Sequence, residues 1–154
     1  MLSACSSDDS VTASSTDPTT TEAPTASTTP VERYCASMRV VADFEASLRA
    51  AGEDARRVSD LYATADADHR IEDAYDSANA SVPIGRPEIK VGLNYGELFT
   101  GRVASGFADG EPMAEANAPR SDVDWMRSQP LVDVYTQQNC RFTVYRESPA
   151  AGGG

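Results

Sequence analysis

The residues with the most chemistry in them lie between positions 66 and 76. Asp66, Asp68, His69, Glu72 and Asp73 follow one another at short spacings. On a helix, His69 and Glu72 or Asp73 stand at i, i+3 or i, i+4, so both can face one cation. This makes the acidic segment a candidate divalent-metal site. Asp66-Ala67-Asp68 opens like a calcium loop. Arg70 and Ile71 then occupy the places that need a ligand and a glycine, which excludes an EF-hand. The competing reading is a solvated acidic face. Residues 53–80 hold eight acids and three arginines, so carboxylates near one another are expected there by density alone.

Other catalytic signals are missing from the sequence. It has no Gly-x-Ser-x-Gly elbow, phosphate-binding loop, His-Glu-x-x-His or Cys-x-x-Cys. His69 is the only histidine, so any Ser-His-Asp triad must use it, from within a strongly charged stretch. Lys90 is the only lysine, and nothing around it predicts the desolvation that a catalytic amine needs. The 24 acids make some close carboxylate pair inevitable, so such a pair alone does not signal glycoside hydrolysis. We assign no catalytic residue and no cofactor, and expect a protein that is not an enzyme. The formal charge of −11 argues against nucleic acid as a partner, because phosphate binding needs a basic stripe.

The amino terminus speaks to location. Leu2-Ser3-Ala4-Cys5 resembles the lipobox of bacterial lipoproteins, in which the precursor is cut before the cysteine and the thiol carries a diacylglycerol. By that resemblance Cys5 is the lipidation site, and residues 1–4 are the remnant of a signal peptide. Such a peptide also needs a basic n-region and an apolar run, so we expect an in-frame start upstream of Met1. The competing reading leaves Cys5 an ordinary thiol. Residues 6–30 hold 14 Ser or Thr among 25 positions, and Val11 is their only aliphatic residue larger than alanine. That composition cannot offset its own ordering entropy, so 5–30 reads as a lipid site and disordered tether, with a reach of about 25–30 Å. The expected home is the extracytoplasmic face of a cell membrane, reached through the lipid on Cys5. The expected partner is an envelope protein or a small ligand.

All 11 aromatic residues follow Arg33, so core material is confined to 31–146, with 147–154 a tail. Cys35 and Cys140 bracket that domain. In an exported protein they most simply form a disulfide; the alternative is two buried thiols.

The elements that must position these residues read as mainly α, a bundle of about four helices. Val31, Tyr34, Met38, Val41, Phe44 and Leu48 recur at three and four, predicting a helix over 31–52 with Pro30 just outside it and Gly52 as its stop. Residues 53–80 carry two apolar stripes, Val58-Leu61-Tyr62-Ala65 and Ile71-Ala74-Tyr75-Ala78. They are out of phase across 66–69, which predicts a kink or a fresh N-cap at Asp66 or Asp68. Residues 81–87 read as a loop. Residues 87–106 fit both a helix opened by Pro87 and an alternating strand; we favour the helix, with its glycines allowing close backbone packing. Residues 107–120 read as loop. Ser121 is expected to cap a short helix that Pro130 ends, with Pro130 opening the last helix toward Cys140. Arg141–Tyr145 is expected to be extended.

An early Tyr34-Cys35, a Pro87-Glu88-Ile89 helix start and a Pro130-to-Cys140 helix together resemble small secreted lipoproteins of actinobacteria. The resemblance implies a helical domain closed by a cysteine pair, on an exported, membrane-anchored chain. It implies no activity.

Overall fold

The computed structural model describes residues 27–146. Cys5, most of the tether and the tail from 147 lie outside them. The architecture is mainly α, with no strand among the described residues. Among the described residues there are six α-helices where the sequence suggests about four: α1 Pro30–Ala51, α2 Ala55–Ala67, α3 Arg70–Ser81, α4 Pro87–Ala108, α5 Met113–Ala116 and α6 Val123–Cys140. A 3₁₀ turn, Ala118–Ser121, separates α5 from α6. None of these helices is long and apolar enough to cross a membrane.

The start of α1 is set one residue earlier than the apolar stripe suggests. Thr29 and Glu32 form a reciprocal capping box, with Pro30 inside the first turn. This satisfies two of the orphan N–H groups of a helix start. Of the predicted stripe, Tyr34, Met38, Val41 and Phe44 are buried and Leu48 packs partly buried against them, while Val31 in the first turn is exposed. Gly52 stops the helix at φ 58, a conformation that favours glycine.

The phase break falls where the two stripes require it. Asp68 and His69 link α2 to α3, and His69 itself takes the left-handed conformation, φ 51. Asp68 Oδ1 accepts the backbone N–H of Arg70 at 3.0 Å and so opens α3. The N-cap position is therefore His69 and not Asp66 or Asp68; Asp68 is the C-cap of α2 and lends only its carboxylate, and Asp66 lies within α2.

The strand alternative for 87–106 gives way to a helix that runs on to Ala108. Its glycines explain how it packs. A Cβ on Gly92 would lie 2.7 Å from Val132 Cγ2, and one on Gly96 would lie 2.5 Å from the Tyr75 ring. These positions let α4 approach α6 and α3 at backbone distance. Gly106 similarly faces Ala116.

The last third of the chain departs most from the sequence reading. Residues 107–120 are not all loop, since α5 and the 3₁₀ turn occupy part of them. Asp122, and not Ser121, caps α6, accepting the N–H groups of Asp124 and Trp125. Pro130 neither ends nor opens a helix; it lies inside one continuous α6. Proline removes the bond that would reach the Met126 carbonyl. Met126 lies on the exposed side of α6, where water can serve that carbonyl.

Cys35 and Cys140 are joined, with their Cα atoms 5.4 Å apart. The bridge ties the first turns of α1 to the end of α6 and closes a separation of 105 residues. Beyond it, Arg141–Arg146 has no regular structure. Its shape comes from Asp133, which is buried and accepts N–H groups from Val144, Tyr145 and Arg146. Tyr145 then reaches the core, where its hydroxyl meets that of Tyr75 at 2.7 Å.

Candidate functional site

The end of α2, the start of α3 and the middle of α4 enclose a cleft of about 390 Å³. That size falls in the range of small-molecule sites. Asp66 enters it from α2, His69 and Glu72 from the start of α3, and Glu97, Gly101 and Arg102 from α4. Its apolar part comes from Tyr62, Ala65, Ile71, Leu98 and Ala104.

The helix geometry explains this grouping. His69 and Glu72 are three residues apart, so they share the face of α3 that looks toward α4. His69 Nδ1 and Glu72 Oε2 are 3.1 Å apart, and both side chains are exposed. The hydrogen bond to Glu72, reinforced by the charge of the same carboxylate, raises the His69 imidazole above its usual 6.5. Burial, together with the charges of Asp76 and Glu72, pushes the Glu97 carboxyl above its ordinary value.

Of the five candidate metal residues, the cleft gathers Asp66, His69 and Glu72. Asp68 and Asp73 do not line it. Asp68 is occupied with the Arg70 backbone and, at 4.0 Å, the Arg70 guanidinium. Among the described residues, no three His, Cys, Asp or Glu side chains are grouped so that they could hold a metal ion. The local arrangement is a His69–Glu72 pair with Asp66 beside it.

Lys90 lies elsewhere. Its ammonium donates to the Asn79 carbonyl at 2.7 Å, so it caps the end of α3 from α4. Asn79 returns the contact through the Lys90 carbonyl and Asn94. This makes Lys90 a helix-to-helix tie.

Glu97, Gly101 and Arg102 escape the sequence reading because their segment also fits a strand. Read as a helix, Glu97 and Gly101 stand at i and i+4 on one face, with Arg102 the next residue along. Gly101 differs from the other glycines of α4. A Cβ placed on it would meet no atom within 4 Å, unlike one on Gly92, Gly96 or Gly106.

A second concavity, between α1, α2 and the 3₁₀ turn, is built around an ion pair. Arg120 donates Nη2 to Glu45 Oε2 at 2.6 Å and Nη1 to the Tyr62 hydroxyl at 2.7 Å. Glu45 is 4% exposed. The Glu45 and Arg120 charges are partners within the chain, so the arrangement fixes the 3₁₀ turn to the bundle.

No known protein family, curated protein or solved structure matches the chain.

Proposed function

We propose that the protein is a binding module of the cell envelope, held on the extracytoplasmic face by a lipid on Cys5. Residues 6–30 serve as the tether, and the α2–α3–α4 cleft is the binding surface. The observation that carries binding is the cleft, which sets apolar side chains of three helices beside a few polar groups. Such a combination suits holding a small ligand or a side chain of a partner. Among the described residues, His69 bonds to Glu72 and to no hydroxyl or thiol, which favours binding over hydrolysis.

The Cys35–Cys140 bridge supports the location, because structural disulfides belong to oxidising compartments. It also leaves Cys5 as the one cysteine outside the bridge, at the position that resembles a lipobox.

The test is to express the gene with its upstream reading frame in an actinobacterial host. Mass spectrometry of the membrane fraction should find a diacylglycerol on Cys5, and Cys5→Ser should release the protein from the membrane. Recovery of unmodified, soluble protein from the native gene would overturn the anchored reading. Crosslinking from intact cells should capture a partner or ligand whose recovery falls when Leu98→Arg blocks the cleft. Recovery unaffected by Leu98→Arg would reject the cleft as the binding surface.

A further inference from the structure

One end of the bundle gathers four helix termini. The Cys35–Cys140 bridge joins the start of α1 to the end of α6. Beside it the Tyr34 hydroxyl meets Thr136 Oγ1 at 2.8 Å, and the Tyr34 and Tyr135 rings pack edge to face. The Arg86 guanidinium, in the connection between α3 and α4, lies 5.1 Å from the centroid of the Tyr135 ring. Lys90 at the start of α4 donates to the Asn79 carbonyl at the end of α3. The chain that leads back to Cys5 leaves from this same end, because α1 begins at Pro30.

The charge of this end is opposite in sign to that of the rest of the domain. Its segments, 31–35, 77–91 and 134–141, hold four cations, Arg33, Arg86, Lys90 and Arg141, and two acids, Glu32 and Glu88. The other residues of 31–146 hold nine cations and 17 acids. Arg86 pairs with Glu88. Arg33 and Lys90 donate instead to the neutral backbone carbonyls of Thr28 and Asn79, which leaves their charges uncancelled.

An apolar tip projects from the same end. Ile84 is 92% exposed, the highest value for a large apolar side chain among the described residues. The Arg86 N–H donates to the Pro83 carbonyl at 3.0 Å and closes a tight turn that holds Ile84 there. Val31, in the first turn of α1, and Val134, near the end of α6, are exposed as well. Apolar side chains set among cations match a bilayer surface, where anionic headgroups meet the charges and the acyl boundary meets the apolar groups.

We propose that this end of the domain docks on the surface of an anionic bilayer. Ile84 enters the acyl boundary, and Arg33, Arg86, Lys90 and Arg141 stand among the lipid phosphates. Two observations select a bilayer as the occupant. The chain from Cys5 arrives at this end, and the end is cationic on an otherwise acidic domain. The inference rests on the anchored reading and adds the orientation of the anchored domain. The 12 residues of α3 span about 18 Å, so the cleft at its first turn is held that far from the docked end.

The test attaches the full chain through Cys5 to a maleimide lipid in nanodiscs. Cys35 and Cys140 are bridged, so Cys5 is the one thiol free to couple. The discs hold phosphatidylglycerol and phosphatidylcholine in equal amounts, with a trace of gadolinium-chelate lipid. NMR follows the methyl groups of Ile71, Ile84 and Ile89, the only isoleucines in the chain. Ile84 should broaden several-fold more than Ile71, which sits at the far end of α3. Phosphatidylcholine alone, or salt of about 1 M, which cuts the screening length to about 3 Å, should shrink that difference. Replacing Arg33 and Arg141 by glutamine should lower the ratio of docked to free domain about fivefold for each charge lost. Ile84→Glu, on an exposed turn, should release the domain without unfolding it, read from equal broadening of Ile89 and Ile71.

Equal broadening of Ile84 and Ile71 in the parent, or an Ile84 signal indifferent to phosphatidylglycerol and to salt, would overturn the proposal. The maleimide supplies the anchor, so the result does not depend on acylation of Cys5 in cells. Failure of docking and failure of the anchored reading are therefore seen separately.

Discussion

The carboxylate of Asp133 accepts the backbone N–H of Val144 at 2.7 Å, eleven residues further along the chain. It also takes the N–H groups of Tyr145 and Arg146, both at 3.1 Å. One buried acid thus supplies the hydrogen bonds that a helix or sheet would otherwise give to this segment. Val144 is fully buried behind it, and Tyr145 is placed against Trp125 and Tyr75. Asp133→Ala removes the acceptors and leaves buried N–H groups unsatisfied, so it should destabilise the domain by about 3 kcal/mol. Asp133→Asn keeps one oxygen but turns an amide donor toward the Arg146 N–H; about 1–2 kcal/mol should be lost. Urea unfolding checks both, and an alanine variant as stable as the parent would refute this role for Asp133.

The glycines of α4 make opposite predictions within one helix. A methyl group at position 96 meets the Tyr75 ring at 2.5 Å. That ring is 1% exposed and held by Tyr145, so it has nowhere to move. Gly96→Ala should cost about 1–3 kcal/mol by overpacking. Gly101→Ala meets nothing and gains helix propensity, so it should stabilise by about 0.5–1 kcal/mol. Thermal melts of the two variants should therefore move in opposite directions.

Local periodicity makes much of the first half legible. The α1 stripe, the stop at Gly52, the phase break before α3 and the Pro87 start each follow from a few neighbouring residues. Tertiary substitutions for local rules hide the rest. Pro130 reads as a helix boundary, yet packing of Trp125, Val132 and Thr136 on one side carries α6 through it. Asp133 sits one residue from Val132 and Val134 and gives no sign that its partners lie 11 to 13 residues on. In the cleft, the α3 residues stand out by their density, but Glu97 and Gly101 gain meaning only once α4 is known to be a helix facing α3.

Arg120 and Glu45 form a pair whose value depends on staying complete. The guanidinium donates to both carboxylate oxygens and to Tyr62. Removing Arg120 alone strands a buried charge, so Arg120→Ala should destabilise by about 3–5 kcal/mol. The combined Arg120→Met, Glu45→Leu variant removes both charges and keeps most of the volume. It should recover most of that loss, as measured by a double-mutant cycle in urea. A double variant as unstable as Arg120→Ala would show that geometry at Tyr62, and not charge burial, dominates.

The Cys35–Cys140 bridge closes a separation of 105 residues, near the upper end of the chain-entropy scale. Replacing both cysteines by serine should cost about 2–5 kcal/mol, chiefly by freeing the unfolded chain. Dithiothreitol should lower the melting temperature of the parent and leave the double variant unchanged. Equal melting of reduced and oxidised parent would show that the bridge adds no stability.

His69 offers a direct reading of the cleft rim, since it is the only histidine in the chain. Its hydrogen bond and charge interaction with Glu72 favour the imidazolium, with smaller help from Asp66 and Asp73. The folded-state value is therefore raised above the unfolded one. The pair's contribution to stability is fully present below 6.5 and is lost as pH rises through the raised value. Both side chains are exposed, so the effect on stability is small and salt-sensitive. NMR titration of the His69 ring should show a midpoint above 6.5 in the parent. Glu72→Gln should return it toward that ordinary value, and Asp73→Asn should move it less. A parent midpoint at or below 6.5 would mean that the His69–Glu72 contact does not persist in solution.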